Sequence, residues 1–419
     1  MGTFVIEGGR SLNGEVTIPG AKNAATPILA ATILARGECV IHRVPNITDV
    51  EKMLDLLRAL GAKVSRSGDT VRVATEDISL VNLPFKLVKG MRSSVLLLGP
   101  LLARLKEVEL PEPGGCIIGN RPLDSHLQGL AQLGAEVTQT ADGYRLAASQ
   151  LKAGRVILSE FSVTATENVM MAAALTPGTT VIELAAAEPH VQDLGRFLQA
   201  MGVGIKGLGT HRLEITGQSQ LRGAEHSLIP DQIEIGTWAV AAAATRGQIN
   251  LGPIYPEHLD IILLKLKDMG VGLELRGDRL IVSGKQPLRA FKLQALPYPG
   301  FPTDLQAPFT VLATQAQGTS LIHDPLYEGR LNHISELVKM GANAVVADPH
   351  RVVITGPTPL YGREIRSFDL RAGATLIIAG LVADGETIIN DIEVVDRGYE
   401  QLDERLRSLG ANIRRQSGA

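Results

Sequence analysis

Arg58-Ala-Leu-Gly-Ala-Lys-Val64 decides the fold, because the chain repeats this pattern six times. It returns as Ala131-Gln-Leu-Gly-Ala-Glu-Val137, Gln199-Ala-Met-Gly-Val-Gly-Ile205 and Lys267-Asp-Met-Gly-Val-Gly-Leu273. It closes as Lys339-Met-Gly-Ala-Asn-Ala344 and Ser408-Leu-Gly-Ala-Asn-Ile413. Each copy reads as the end of an amphipathic helix, a glycine suited to a helix C-terminus, and the start of a strand. The glycines Gly61, Gly134, Gly202, Gly270, Gly341 and Gly410 lie 73, 68, 68, 71 and 69 residues apart. So regular a spacing marks an internal repeat, and so long a period suits a small domain-like unit.

Working outward from each signature gives one plan. An apolar helix comes first, over Ala24–Ala35, Met91–Leu105, Thr166–Leu175, Ile233–Thr245, Asp304–Gln315 or Ala372–Val382. In five units a glycine turn follows, at Arg36-Gly, Pro177-Gly, Arg246-Gly, Gln317-Gly and Asp384-Gly. A β-branched strand comes next, such as Thr179–Ile182 or Gln248–Leu251. An amphipathic helix such as Asp49–Leu60 or Asn332–Met340 then leads into the Leu-Gly or Met-Gly signature. A hairpin completes the unit, as in Lys63–Arg66 with Thr70–Val73, and Arg212-Leu-Glu-Ile-Thr216 alternates with the strand period. Six units fall into two groups of three, with a polar boundary near Gln218–Ile229. Residues 20–228 are expected to form one domain, and residues 1–19 with 229–419 the other.

The second unit breaks the plan. Its loop, Pro111-Glu-Pro-Gly-Gly-Cys-Ile-Ile-Gly-Asn-Arg-Pro-Leu-Asp-Ser-His126, is dense in helix and strand breakers around Cys116. A loop expanded in one copy of a repeated scaffold is a usual seat of function. Read alone, the thiol fits an incidental surface turn equally well.

Composition narrows the class. The 419 residues are 45% hydrophobic, which suits a globular protein with two sizeable cores. A net charge of −3 gives no global basic field for nucleic acid. No apolar run approaches a membrane span, and the N-terminus lacks the apolar core of a signal peptide. Two cysteines, Cys39 and Cys116, make no disulfide framework and suit a reducing, cytoplasmic compartment. Cys39 lies in the strand-like Glu38-Cys-Val-Ile-His42 and reads as a buried hydrophobe.

Gly20-Ala-Lys-Asn-Ala-Ala25, Met91-Arg-Ser-Ser94, Gly114-Gly-Cys-Ile-Ile-Gly-Asn-Arg-Pro122, Phe301-Pro-Thr-Asp304 and Asp396-Arg-Gly-Tyr399 occur in this order. With the six units, they make the chain resemble the enolpyruvyl transferases end to end, in particular those acting on UDP-N-acetylglucosamine. The resemblance implies a two-domain inside-out α/β barrel of six βαβαββ units, three per domain, with a cleft that closes on the substrates. It implies transfer of the enolpyruvyl group of phosphoenolpyruvate to the 3-hydroxyl of UDP-N-acetylglucosamine, the first committed step of peptidoglycan synthesis, with no metal or organic cofactor.

The resemblance also implies roles. Asp304 would be the general base for the sugar hydroxyl, although alone it also admits the lesser reading of a helix N-cap. Cys116 would deliver the proton to the vinyl carbon and take fosfomycin, with Lys22 a competing proton donor. Lys22, Asn23, Arg92, Arg121, Arg371 and Arg397 would hold the anionic groups, which suits guanidinium forks. The sugar nucleotide would meet Arg121, Pro122, Leu123, Asp124, Ser125, Ser162, Val163 and Leu326. His126 reads as orienting the loop or as a structural hydrogen bond. The chain departs from the family pattern at Glu160 and Gln232, where Lys or Arg is usual, at Thr164 for Gly, and at His190 in Glu188-Pro-His190. Competing readings are transfer to shikimate 3-phosphate, which leaves the Gly-Gly-Cys loop unexplained, an RNA 3′-phosphate cyclase, and a non-catalytic sugar-nucleotide binder.

Overall fold

The computed structural model describes residues 2–79, 83–114, 118–119 and 121–416. Cys116 lies outside them. The chain divides into two compact units, Pro19–Gly115 with Arg121–Ile229, and Met1–Ile18 with Cys116–Asn120 and Pro230–Ala419. Each has its own apolar core.

The apolar helix of each repeat is the buried element. Ile233 to Ala244 is buried without a break in the helix Gln232–Ala244, as is Leu370 to Leu381 in Leu370–Val382. A helix apolar all round has no solvent face and must be packed on every side. The small residues let these helices approach closely. A Cβ on Gly99, in the helix Leu98–Leu105, would stand 2.2 Å from the Asn168 carbonyl of the helix Val163–Ala174. The second helix of each repeat is amphipathic: Thr48–Ala59 buries Val50, Met53, Leu54, Leu56 and Leu57 and leaves Asp55 and Arg58 exposed.

All six signature glycines take positive φ, from +91° at Gly270 to +112° at Gly202. At the first, Ala62 N–H bonds the Leu57 carbonyl at 3.0 Å, the reach-back that closes a helix end through a left-handed residue. The glycine turns behave differently at one place. Gly37, Gly178, Gly318 and Gly385 take positive φ, whereas in the fourth unit Arg246 does so instead of Gly247. Gly247 is there for space, since a Cβ on it would lie 1.9 Å from the Leu12 carbonyl. In the second unit, which lacks the glycine, Lys106 turns the chain with φ +69°.

Each repeat carries its own sheet. In the third, Arg155–Ile157 runs parallel to Gly178–Glu183, which pairs antiparallel with Arg212–Gly217, itself paired with Gly204–Lys206. The second unit has three described strands, Glu107–Pro111, Gly143–Ala147 and Glu136–Gln139. Pro111, expected to open the loop, instead ends the strand Glu107–Pro111, which lies at the edge of its sheet among the described residues. The N-terminal strand Thr3–Glu7 inserts into the sixth sheet, antiparallel to Glu386–Asn390 and Asn412–Gln416. Asn13–Thr17 lies parallel to Gln248–Gly252. The crossover strand Glu225–Ser227 returns to lie parallel to Glu38–His42. Among the described residues the strands form separate small sheets, with no single closed one.

Candidate active site

The repeat gathers the candidate residues at one kind of place, the N-terminal ends of the buried helices. Lys22 opens Lys22–Ala31, Arg92 opens the 3-10 turn Arg92–Leu97, and Ser162 caps Val163–Ala174. Asp231 caps Gln232–Ala244, Asp304 lies in the 3-10 turn Thr303–Leu305 leading into Gln306–Gln315, and Asp369 caps Leu370–Val382. Helix starts carry unsatisfied N–H groups and positive potential, which favour a negatively charged group close by.

The geometry separates the aspartates, which look alike in sequence. Asp231 accepts from Ile233 and Glu234 N–H at 2.9 and 3.0 Å, and Asp369 from Arg371 and Ala372 N–H at 2.8 and 3.0 Å. Both are caps. Asp304 is not at a cap position, since Pro302 precedes the turn Thr303–Leu305 and Leu305 precedes the helix Gln306–Gln315. Its Oδ1 accepts from Arg330 Nη2 at 2.6 Å, and its Oδ2 from Arg371 Nη2 at 3.0 Å and Nε at 3.2 Å. Both guanidiniums are almost fully buried, and the carboxylate is about one-fifth exposed.

Burial alone would drive the charge off Arg371, and Tyr399, Asp304 and Asp231 more than reverse that. Burial also pushes the Tyr399 phenol up, so it stays protonated at neutral pH and donates or accepts through its hydroxyl. The carboxylates of Asp304 and Asp231 are then the counter-charges that keep Arg371 ionised. The Tyr399 hydroxyl sits 2.9 Å from Thr237 Oγ, and its ring lies 5.3 Å from the Arg371 guanidinium carbon. Arg330 is likewise held charged against burial by Asp304 and Asp369. Sequence reading does not find Arg330, because it sits on a loop rather than at a helix start. Its only signal is a lone arginine in Glu328-Gly-Arg330, too common to single out.

Thr303 Oγ and the Leu326 N–H both bond the Asp324 carboxylate, the latter at 3.0 Å, which ties the turn bearing Asp304 to the segment bearing Leu326. The Leu326 N–H is therefore committed within the protein. Arg397 ends the 3-10 turn Ile392–Arg397 and is half-buried. Glu234, another acidic candidate near a helix start, is taken up by Arg405 and by Trp238 Nε1 at 3.0 Å, a packing role.

In the Pro19–Ile229 part, half-buried Lys22 pairs with buried Asp49 at 3.1 Å, next to half-buried Asn23. Arg92 Nη2 bonds the Arg121 carbonyl and reaches the Pro122 carbonyl at 3.4 Å, so one expected anion ligand holds the backbone of the other. Pro122 and Asp124 are exposed, Leu123 and Ser125 buried. Ser125 Oγ lies 2.7 Å from Ser159 Oγ and donates to Glu160 Oε1 at 3.3 Å. Ser162 Oγ accepts from Ala165 N–H at 3.4 Å, and Val163 is the first helical residue.

His126 is buried beside them. Burial, with Arg92 and Arg121 adding to it, pushes its imidazole down to about 3. It bonds Asn168 and Thr164, the structural role weighed for it in the sequence. Glu167, one residue before Asn168, is fully buried and raised well above the usual carboxylate range by burial and by Glu188. Among the described residues no group of His, Cys, Asp and Glu is placed to hold a metal ion.

A family model described as EPSP synthase (3-phosphoshikimate 1-carboxyvinyltransferase) matches residues 6–406. The chain is 45% identical over 418 residues to UDP-N-acetylglucosamine 1-carboxyvinyltransferase 1 of Carboxydothermus hydrogenoformans, covering 100% of this chain and 99% of that one. It is 45% identical over 413 residues to UDP-N-acetylglucosamine 1-carboxyvinyltransferase 2 of Bacillus subtilis, covering 98% and 96%. Among solved structures, the enolpyruvyl transferase NikO from Streptomyces tendae matches with a TM-score of 0.91 at 27% identity, over 100% of this chain and 99% of that one. An EPSP synthase from Acinetobacter baumannii matches with a TM-score of 0.77 at 19% identity over the whole of both chains, a likeness of fold alone.

Proposed function

The chain belongs to the EPSP synthase (3-phosphoshikimate 1-carboxyvinyltransferase) family, and on that premise we infer that it transfers the enolpyruvyl group of phosphoenolpyruvate to the 3-hydroxyl of UDP-N-acetylglucosamine. Phosphate is the second product. The observation that carries this reading is the 45% identity, over essentially the full length, to relatives bearing that activity in their names. The reading puts the enzyme at the entry to peptidoglycan synthesis and in the cytoplasm.

The roles follow from what each group offers. The sugar hydroxyl gives its proton to Asp304 as its oxygen bonds C2 of phosphoenolpyruvate, and Cys116 gives a proton to C3. That adds O–H across the vinyl bond and leaves a tetrahedral carbon bearing phosphate. Loss of a proton from the new methyl group and of phosphate from C2 restores the double bond. Asp304 is suited to the first transfer because Arg330 and Arg371 hold its carboxylate in one orientation. Lys22, Asn23, Arg92, Arg121, Arg371 and Arg397 supply positive charge and donors for phosphate and carboxylate, with Lys22 the rival proton donor to Cys116. Arg121, Pro122, Leu123, Asp124, Ser125, Ser162, Val163 and Leu326 make the sugar-nucleotide contacts.

Phosphate release settles the reading. It should require phosphoenolpyruvate and UDP-N-acetylglucosamine together and should stop after exposure to fosfomycin. Release with shikimate 3-phosphate in place of the sugar nucleotide would favour the activity in the family model's description.

A further inference from the structure

Arg330 reaches Asp304 from a segment that its own backbone holds only loosely. Between the strand Gly318–His323 and the helix Ile334–Lys339 the chain runs through turns. The two bonds these turns make across Arg330 are its N–H to the Tyr327 carbonyl and the Asn332 N–H to the Gly329 carbonyl, each 3.4 Å long. Bonds of that length are weak. The guanidinium is nevertheless buried and meets Asp304 Oδ1 at 2.6 Å.

Side chains pin the segment at both ends to the stretch that bears Asp304. At its start, the buried Asp324 carboxylate accepts from the hydroxyl of Thr303, the residue before Asp304. At its end, His333 Nε2 lies 3.0 Å from Oγ of Thr310, in the helix Gln306–Gln315 that Asp304 leads into. His333 and Thr310 are both fully buried. Thr310 spends its hydroxyl proton on the Ala307 carbonyl at 2.6 Å, so toward the ring it can only accept. Burial pushes the His333 imidazole down to about 4, so at neutral pH the ring carries one proton, and this bond places it on Nε2. Arg330 lies between the two ties, three residues before His333. One tie alone would let the segment swing about it, whereas ties on both sides of Arg330 leave it one place.

We propose that His333 and Thr310 are positioning residues for the Arg330–Asp304 pair, their buried bond fixing the far end of the Arg330 segment so that the guanidinium meets the carboxylate in one place. The proposal rests on the reading of Asp304 as the base of the transfer. It gives a role to a buried imidazole and hydroxyl that the transfer chemistry does not use. A misplacement of about 1 Å at a reacting group can cost on the order of a hundredfold in rate, so a tie remote from the substrate can still govern turnover.

The test is the kinetics of phosphate release from phosphoenolpyruvate with UDP-N-acetylglucosamine. His333→Leu removes the donor and keeps an apolar bulk, and Thr310→Val removes the acceptor and keeps the shape. Each should lower kcat by about tenfold to a hundredfold, with the KM of both substrates within about threefold of the parent. His333→Gln, whose amide can offer an N–H near the place of Nε2, should keep kcat within about threefold of the parent. In an Arg330→Lys background, His333→Leu should cost less than about threefold more, because the pair it positions is already loosened. Packing damage alone would multiply with Arg330→Lys and would not be rescued by glutamine. Should His333→Leu fail to fold, Thr310→Val carries the same contrast. Parent-like kcat in both variants, or a full multiplicative loss in the Arg330→Lys background, overturns the proposal. Absence of phosphate release from the parent protein would instead overturn the proposed activity. The tie is then read from urea unfolding, where the effects of His333→Leu and Arg330→Lys should be non-additive, and additivity would overturn it.

Discussion

Arg371 grips Asp304 through two donors on one oxygen, Nη2 at 3.0 Å and Nε at 3.2 Å, from a guanidinium that is almost wholly buried. A fork of this kind fixes direction as well as charge, and lysine cannot reproduce it. Arg371→Lys should therefore lower kcat by about tenfold to a hundredfold while leaving the protein folded. Asp304→Asn removes the base and should cost about 10²–10⁴ in kcat. It also strips a counter-charge from Arg330 and Arg371, so denaturant unfolding should show a loss of up to about 3–5 kcal/mol. Turnover of Asp304→Asn within tenfold of the parent would remove Asp304 from the base role.

Two buried imidazoles make stability depend on pH. His126 is pushed down to about 3 and His333 to about 4, both mainly by burial. In the unfolded chain both titrate near 6.5, so between that pH and 3–4 the unfolded state binds protons that the folded state refuses. Stability should be unaffected by these groups above pH 6.5 and fall as pH drops below it, by up to about 1.4 kcal/mol per pH unit for each. Urea unfolding at a series of pH values checks this, with His126→Asn expected to show a shallower slope than the parent. An unchanged slope would mean that His126 takes up its proton in the folded state.

How much of this is written in the sequence depends on the range of the interaction. The six signature glycines are legible because a left-handed helix end is a local demand that glycine meets with least strain. Lys22, Arg92 and Asp304 are legible because the repeat places them at equivalent helix starts. Gly247 reads in sequence as a left-handed turn and is not one, since its constraint is the approach of Leu12, more than two hundred residues away in the chain. Arg330 and Asn168 give no signal that singles them out. The first matters only once the fold sets it against Asp304, and the second lies inside an apolar helix where an asparagine gives no outward sign of its partners.

Thiol chemistry should single out one cysteine. Cys39 is fully buried in the strand Glu38–His42, and burial raises its thiol, so it offers little thiolate to an epoxide. Intact-mass analysis after fosfomycin should show one adduct per chain, kept in Cys39→Ala and lost in Cys116→Ser. If Cys116 acts only as an acid, Cys116→Asp should turn over without being alkylated, because a carboxyl can give a proton but does not open the epoxide as a thiolate does. Loss of turnover in Cys116→Asp, with binding of both substrates retained, would point to a need for sulfur or to Lys22 as the donor.

Gly410 and Gly247 separate two reasons for a glycine. Gly410 has φ +98°, and a Cβ added to it would meet nothing within 4 Å, so its constraint is backbone conformation alone. Alanine there should cost about 1–2 kcal/mol, and asparagine less, since its side chain tolerates the left-handed region. Gly247 has an ordinary φ, but a Cβ would sit 1.9 Å from the Leu12 carbonyl and 2.8 Å from the Leu12 N, where the N-terminal segment adds its strand to the sheet. Any side chain must push that backbone away, so alanine should cost at least the upper end of the about 1–3 kcal/mol typical of overpacking, and asparagine should be no better. Thermal or urea unfolding of the four variants decides the matter. Recovery by asparagine at 410 and not at 247 is the expected pattern, and recovery at both would mean that the chain near Leu12 yields freely.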